Sequence, residues 1–250
     1  VSMRKPQAGM PCSDIAISSG IRTLSRDATK RPFAAHHYLF LELETLTSSI
    51  GIVSGERLKS HEDVAARARF IAGGLQKLGV NQGDSVCVLM RNDIVCLEAT
   101  YAVMTLGAYA VPVNWHFKAE EVEYILKDSG AKVLFGHADL LHQLRGVMPP
   151  GVTVISVPPP PEILANYKID PETLPRPSFA FELDEWIAQQ PPYDGPALPQ
   201  PQNMIYTSGT TGHPKGVRRS APTPAQVANA EAMRALIYGL KPNARAIVPG

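Results

Sequence analysis

Between residues 206 and 217 the chain reads Tyr-Thr-Ser-Gly-Thr-Thr-Gly-His-Pro-Lys-Gly-Val. Thr207, Ser208, Thr210 and Thr211 supply hydroxyl donors. Gly209, Gly212 and Gly216 permit positive φ and let the backbone come close to a ligand, so successive N–H groups can converge on an anion. Lys215 adds one point charge suited to a phosphate oxygen. Pro214 fixes its own φ and biases His213 toward extended backbone. No carboxylate interrupts the run. A lone Gly-x-x-Gly would read as an ordinary surface loop, but this whole set of residue types suits a polyphosphate. It is not a Walker A loop, which needs four residues between its glycines and ends in Gly-Lys-Ser/Thr. Here two residues separate Gly209 from Gly212, and Gly216 follows Lys215. His213 has no neighbour in sequence to orient it as a catalytic base, so its role reads as positional. No residue is assigned to catalysis or to a metal.

The elements around this loop follow from periodicity. Residues 61–78 carry Val64, Ala68, Ile71, Leu75 and Leu78 on one helical face, with Ser60 as N-cap and Gly79 as stop. A strand over 85–90 precedes a helix that Asn92 or Asp93 caps and Gly107 closes. Strand 109–113, helix 119–127, strand 131–135, helix 139–147 and strand 153–157 follow. These strands are apolar throughout rather than alternating, which predicts a mostly parallel sheet with helices on both faces, an α/β fold. Residues 158–201 are rich in proline and read as a long excursion with a short helix over 183–189. Strand 203–206, helix 224–240 and strand 246–248 frame the loop and the end of the chain. Domain organisation reads as a poorly assigned segment over 1–53 and one domain over 54–250.

Bulk composition narrows the function classes. Lys plus Arg is 24 and Asp plus Glu 23, so the formal net charge is +1. No global field draws the chain to nucleic acid, and anion recognition must be local. Cys12, Cys87 and Cys96 are widely spaced and form no Cys-x-x-Cys, which argues for thiols in a reducing, cytoplasmic setting. His36 and His37 lack a third ligand at suitable spacing. The apolar stretch 94–113 is broken by Glu98 and Gly107 and ends near Pro112, so it reads as a buried helix and strand rather than a transmembrane segment. No secretory signal is recognised. Arg218 and Arg219 read as a solvated basic pair, and Glu120, Glu121 and Glu123 as a solvated helix face. Trp115, His116 and Phe117 follow a strand end, where they suit packing and turn roles at least as well as the lining of a pocket.

The segment 206–217 resembles the phosphate-binding signature of the adenylate-forming superfamily, which includes acyl- and aryl-CoA synthetases, luciferases and peptide-synthetase adenylation domains. Residues 107–114, Gly-Ala-Tyr-Ala-Val-Pro-Val-Asn, resemble a second, weaker signature, and Arg91-Asn92 is a third agreement. The resemblance runs from about residue 54 to 250. It implies the first part of a large α/β N-terminal domain and an acid–CoA ligase activity of the kind found in fatty acid metabolism. In that activity ATP activates a fatty or aryl carboxylic acid to an acyl-adenylate, and CoA then accepts the acyl group. ATP, Mg²⁺ and CoA are the implied cofactors. Thr207, Ser208, Gly209, Thr210, Thr211, Gly212, Lys215 and Gly216 are the implied nucleotide-phosphate contacts. Members of that family run to about twice this length. The later Tyr-Gly-x-Thr-Glu and Thr-Gly-Asp motifs, the hinge and the small C-terminal domain do not map onto this chain. The expectation is therefore a truncated N-terminal portion, inactive alone and prone to self-association. The alternative is a non-catalytic polyphosphate-binding or interaction fragment.

Overall fold

Four of the predicted apolar runs become neighbours in one parallel sheet in the computed structural model, which describes residues 51–174, 177–207 and 214–238. β1 (Ile52–Ser54) and β2 (Arg57–Lys59) form an antiparallel hairpin. Then come α1 (His61–Lys77), β3 (Ser85–Leu89), α2 (Ile94–Thr105), β4 (Tyr109–Pro112), α3 (Ala119–Ser129) and β5 (Ala131–His137). α4 (Ala138–Leu141) runs into a 3₁₀ turn (His142–Leu144), followed by β6 (Thr153–Val157), α5 (Pro161–Tyr167), β7 (Ala180–Glu182) and α6 (Leu183–Ile187). β8 (Ile205–Thr207), β9 (Lys215–Val217) and α7 (Pro224–Tyr238) complete the described chain.

The main sheet has the order β4-β3-β5-β6-β7, with every neighbouring pair parallel. Side chains alternate along each strand, so an all-apolar strand must feed two cores. Val86 and Val88 of β3 join Ile71 and Leu75 of α1 and Val103 of α2 on one face. Cys87 and Leu89 join Val122 and Ile125 of α3 and Leu141 of α4 on the other. Local chemistry sets the ends of the helices. The Ser60 side chain accepts the Asp63 N–H at α1, and the Asp93 side chain accepts the Cys96 N–H at α2. Gly130 adopts φ 62° to stop α3, a left-handed conformation that favours glycine.

Several sequence expectations change. The helix expected over 139–147 shrinks to α4 and its 3₁₀ turn, because Leu140, Leu141 and Leu144 already reach the core. The proline-rich stretch holds more order than expected: α5 starts with proline at its first helical position, and β7 extends the main sheet. The strand placed at 203–206 is β8, which pairs with β9 in a separate antiparallel hairpin. Glu98 does not merely interrupt an apolar run. It is fully buried on α2, with Lys59 Nζ at 2.5 Å and Arg67 Nε at 2.8 Å. Residues 1–50, including His36 and His37, and the strand expected at 246–248 lie outside the described residues.

Topology fixes where a site can form. From β3 the chain builds outward to β4, then crosses back to place β5 on the other side of β3. The helix after β3 packs on one face, and the helix after β5 on the other. A crevice therefore opens at the carboxyl ends of these strands, the usual ligand position in open α/β sheets.

Candidate functional site

The phosphate-loop candidates fall on the second hairpin. Thr207 ends β8 and Lys215 begins β9; the two are register partners, with Tyr206 opposite Gly216. Thr207 and Lys215 are both exposed, and as register partners they lie on the same face of the hairpin. Ser208, Gly209, Thr210, Thr211 and Gly212 lie outside the described residues. Gly216 serves a different purpose from the one the sequence suggested. Its φ is not positive, but a Cβ there would stand 2.6 Å from Tyr206 Cζ and would also strike the Met204 methyl. Glycine is needed for space, not for a left-handed backbone.

The base of the hairpin is tied to the main sheet. Met204 is buried and its N–H donates to Ala110 O at 3.2 Å. The Tyr206 hydroxyl donates to Asp128 Oδ2 at 2.6 Å, and burial together with that carboxylate pushes the phenol above its usual range. Arg218 and Arg219 are exposed, as a solvated basic pair should be, and each also makes a contact: Arg218 Nη2 donates to Ser129 O at 2.7 Å, and Arg219 Nη1 to Gln202 Oε1 at 3.2 Å. The acidic face of α3 is also partly committed. Glu121 accepts the Lys118 N–H, and Glu123 pairs with Lys127.

A second constellation sits at the switch point. Arg91, at the end of β3, is 7% exposed, and its Nη1 lies 2.9 Å from Asp139 Oδ2. Its guanidinium lies 4.9 Å from the Trp115 ring centroid and 4.3 Å from that of Tyr167, so aromatic faces flank a cation. The Arg91 N–H donates to His137 Nδ1 at 3.2 Å, which assigns the neutral imidazole proton to Nε2. That nitrogen faces Asp93 Oδ2 at 3.7 Å, and both side chains are fully buried. Four segments remote in sequence thus meet on Arg91. The Arg91-Asn92 pair, Trp115 and Phe117 were visible as candidates, but Asp93, His137 and Asp139 were not. They are separated in sequence, and only the β3–β5 register brings them together.

Two clefts flank this cluster. One, of ≈ 280 Å³, is lined by Ser54, Gly55, Arg91, Trp115, Glu162 and Tyr167 among others. Glu162 accepts Ser54 Oγ at 2.5 Å and Arg57 through Nε at 3.1 Å and Nη2 at 2.5 Å. Burial alone would raise this carboxyl, but the Arg57 and Ser54 bonds outweigh it and hold it below the usual range. The other cleft, of ≈ 360 Å³, is lined by Val88, Met90, Cys96, Phe117, Asn203 and Tyr206 among others, so it abuts the β8–β9 hairpin. His116 lies against Trp115, with ring centroids 3.5 Å apart. Burial pushes the Cys87 thiol up to about 12, and burial plus Asp93 does the same for Cys96, so neither offers a thiolate nucleophile at neutral pH.

Cofactor fit can be judged from the donor set. Exposed Thr207 and Lys215 match phosphate oxygens. Among the described residues no group of three or more His, Cys, Asp or Glu could hold a metal ion. Among the described residues no helix is long and apolar enough to cross a membrane.

Comparison with known proteins places this geometry. Residues 44–248 match the sequence profile of the AMP-binding enzymes. Tyrocidine synthase 2 of Brevibacillus parabrevis is 30% identical over 209 residues, which cover 83% of this chain and 5% of that protein. The 3-hydroxybenzoate–CoA ligase of Aromatoleum sp. (strain CIB) is 27% identical over 208 residues, 80% of this chain and 36% of the ligase. The crystal structure of the anthranilate CoA ligase AuaEII in complex with anthranoyl-AMP superposes with a TM-score of 0.60 at 24% identity, covering 76% of this chain and 35% of that one, a likeness of fold. The chain thus spans 36% or less of the length of these relatives.

Proposed function

This chain belongs to the AMP-binding enzyme family, and from that premise we propose that it carries the polyphosphate-holding part of an acid–CoA ligase. In the proposed reaction a fatty or aryl carboxylate attacks the α-phosphorus of ATP. An acyl–oxygen–phosphorus link forms and pyrophosphate leaves. The thiol of CoA then takes the acyl group and AMP departs. Joining the acid to AMP turns a poor electrophile into one with a good leaving group, and much of the catalysis is charge stabilisation on the triphosphate.

The observation that carries this reading is the pairing of exposed Thr207 with exposed Lys215 at the mouth of a carboxylate-free Ser/Thr/Gly loop. In this reading the Thr207 hydroxyl and the Lys215 ammonium hold phosphate oxygens, with Ser208, Gly209, Thr210, Thr211 and Gly212 supplying the intervening donors. Gly216 keeps the strand crossing tight. The CoA ligase named among the relatives supports the class of acid and acceptor. Residues 54–250 form part of the AMP-binding domain in this reading, and 1–53 stay unassigned. A cytoplasmic setting fits the free thiols Cys87 and Cys96.

A second reading keeps polyphosphate binding and drops turnover: a non-catalytic binding or interaction fragment. Acid-dependent ATP–pyrophosphate exchange by the purified 250-residue chain tests whether turnover accompanies binding. We expect ATP binding without exchange above background. Exchange above background overturns the claim that this chain alone does not complete adenylation.

A further inference from the structure

The phosphate hairpin cannot hold its own shape. β8 and β9 are three residues each, and Ile205 and Val217 remain 55% and 48% exposed. An isolated two-stranded ribbon of this length is marginal in water. What keeps Thr207 opposite Lys215 must therefore come from outside the ribbon, and the structure shows where. Tyr206, on β8, donates its hydroxyl to Asp128 Oδ2 at 2.6 Å. Arg218, the residue after β9, donates Nη2 to Ser129 O at 2.7 Å. Asp128 and Ser129 are the last two residues of α3, so both strands are fastened to one helix end.

Arg218 is suited to this end. Helix C-terminal carbonyls carry partial negative charge and favour a cation. The guanidinium also stands 5.6 Å from the Tyr109 ring centroid on edge strand β4, and the Tyr109 hydroxyl donates to Arg219 O at 3.2 Å. Helix end, edge strand and hairpin base are thereby cross-linked by one side chain, three positions after Lys215.

We infer that Arg218 is a positioning residue for the Thr207–Lys215 pair: it clamps β9 to the carboxyl end of α3 and so holds Lys215 in register with Thr207. The inference rests on the proposed polyphosphate reading of that pair. Arg218 acts through the backbone of β9 and not by touching the nucleotide. Apparent ligand affinity scales with the fraction of molecules in the binding-competent form. If release of the clamp leaves the hairpin formed in about one molecule in ten, affinity falls about tenfold.

The test uses the 250-residue chain, with ATP as the calorimetric probe and amide hydrogen exchange of 205–207 and 215–217 as the local readout. Arg218→Ala should bind ATP about tenfold more weakly, exchange faster across both strands, and keep the wild-type unfolding midpoint of the main sheet. Arg218→Lys, which can still reach the Ser129 carbonyl, should recover most of the affinity. Tyr206→Phe releases the other strand and should move both readouts the same way, which keeps the test open if one variant fails to fold. Equal ATP affinity in wild type and Arg218→Ala overturns the clamp. Weaker binding with unchanged exchange also overturns it, since that marks a direct phosphate contact. If the wild-type chain binds no ATP, the polyphosphate reading fails on its own. The clamp then stands or falls on exchange alone, and unchanged exchange in Arg218→Ala sinks it.

Discussion

Consider Arg67→Met and Glu98→Met, two substitutions on either side of one buried ion pair. The Glu98 side chain is 0% exposed, while Lys59 and Arg67, which pair with it, keep 31% and 26% of their side-chain surface. Burial pushes the Glu98 carboxyl up, and the two cations offset part of that rise. Removing Arg67 leaves a buried carboxylate with Lys59 alone. Breaking a fully buried pair costs about 3–5 kcal/mol; with one cation retained and both partly wet, about 2–3 kcal/mol is the reasoned figure. Arg67 also pairs with Asp184, but Asp184 is 64% exposed, so breaking that ion pair adds little. Removing Glu98 instead takes the buried charge away and frees both cations into water, in a side chain of similar volume, at a cost of about 0–1 kcal/mol. Urea unfolding with a slope of about 1–3 kcal/mol/M should then separate the two midpoints by roughly 1 M. The pH dependence checks the cause. A carboxyl raised in the native state binds its proton there first, so acid favours the folded form and stability is lost as pH rises through the folded value. The Arg67→Met deficit should therefore shrink as pH is lowered toward the ordinary glutamate value of about 4.3. If Glu98→Met proves at least as destabilising as Arg67→Met, the reasoning from buried charge is wrong.

Two further outcomes follow from the same structure. Glu162 is held below the usual carboxylate range, so its tie to Ser54 and Arg57 stabilises the fold above its unfolded value of about 4.3 and is lost as pH falls through the lower, folded one. Hydrogen exchange across β1 and β2 should accelerate on acidification in wild type and be already fast, and flat with pH after correction for intrinsic rates, in Glu162→Gln. On α7, Met233, Leu236 and Ile237 are 53%, 81% and 60% exposed, an apolar surface that favours self-association. Sedimentation should show wild type heavier than a monomer and Leu236→Glu/Ile237→Glu shifted toward it; a wild-type monomer refutes this.

The parallel sheet was legible because strands such as 85–89 are apolar without alternation, which only two covered faces explain. Helix α1 was legible from its repeat and from Ser60 as cap. Less could be read where tertiary contacts override local signals. Proline clusters concealed α5 and β7, which survive because Ile163 and Leu183 are buried. The Ser/Thr/Gly loop and Lys215 stood out by composition, yet nothing local revealed that Lys215 faces Thr207 across a hairpin, or that Arg218 spends its charge on a helix end. The Arg91 cluster was hidden for a similar reason. Its members lie after β3, after β4, at the end of β5 and in α4, and on α5, and strand order makes them neighbours.

The central claim is that the hairpin tip holds a polyphosphate through Lys215. Calorimetric titration of the 250-residue chain with ATP tests it most directly, in wild type and Lys215→Ala. A hydrogen bond from a charged group contributes about 1.5–3 kcal/mol, and solvent exposure at Lys215 argues for the lower end, roughly a tenfold loss of affinity. Wild type should bind measurably, Lys215→Ala should bind more weakly by about that factor, and added salt should weaken binding by wild type. Equal binding by the two chains, or no binding by wild type, contradicts the claim.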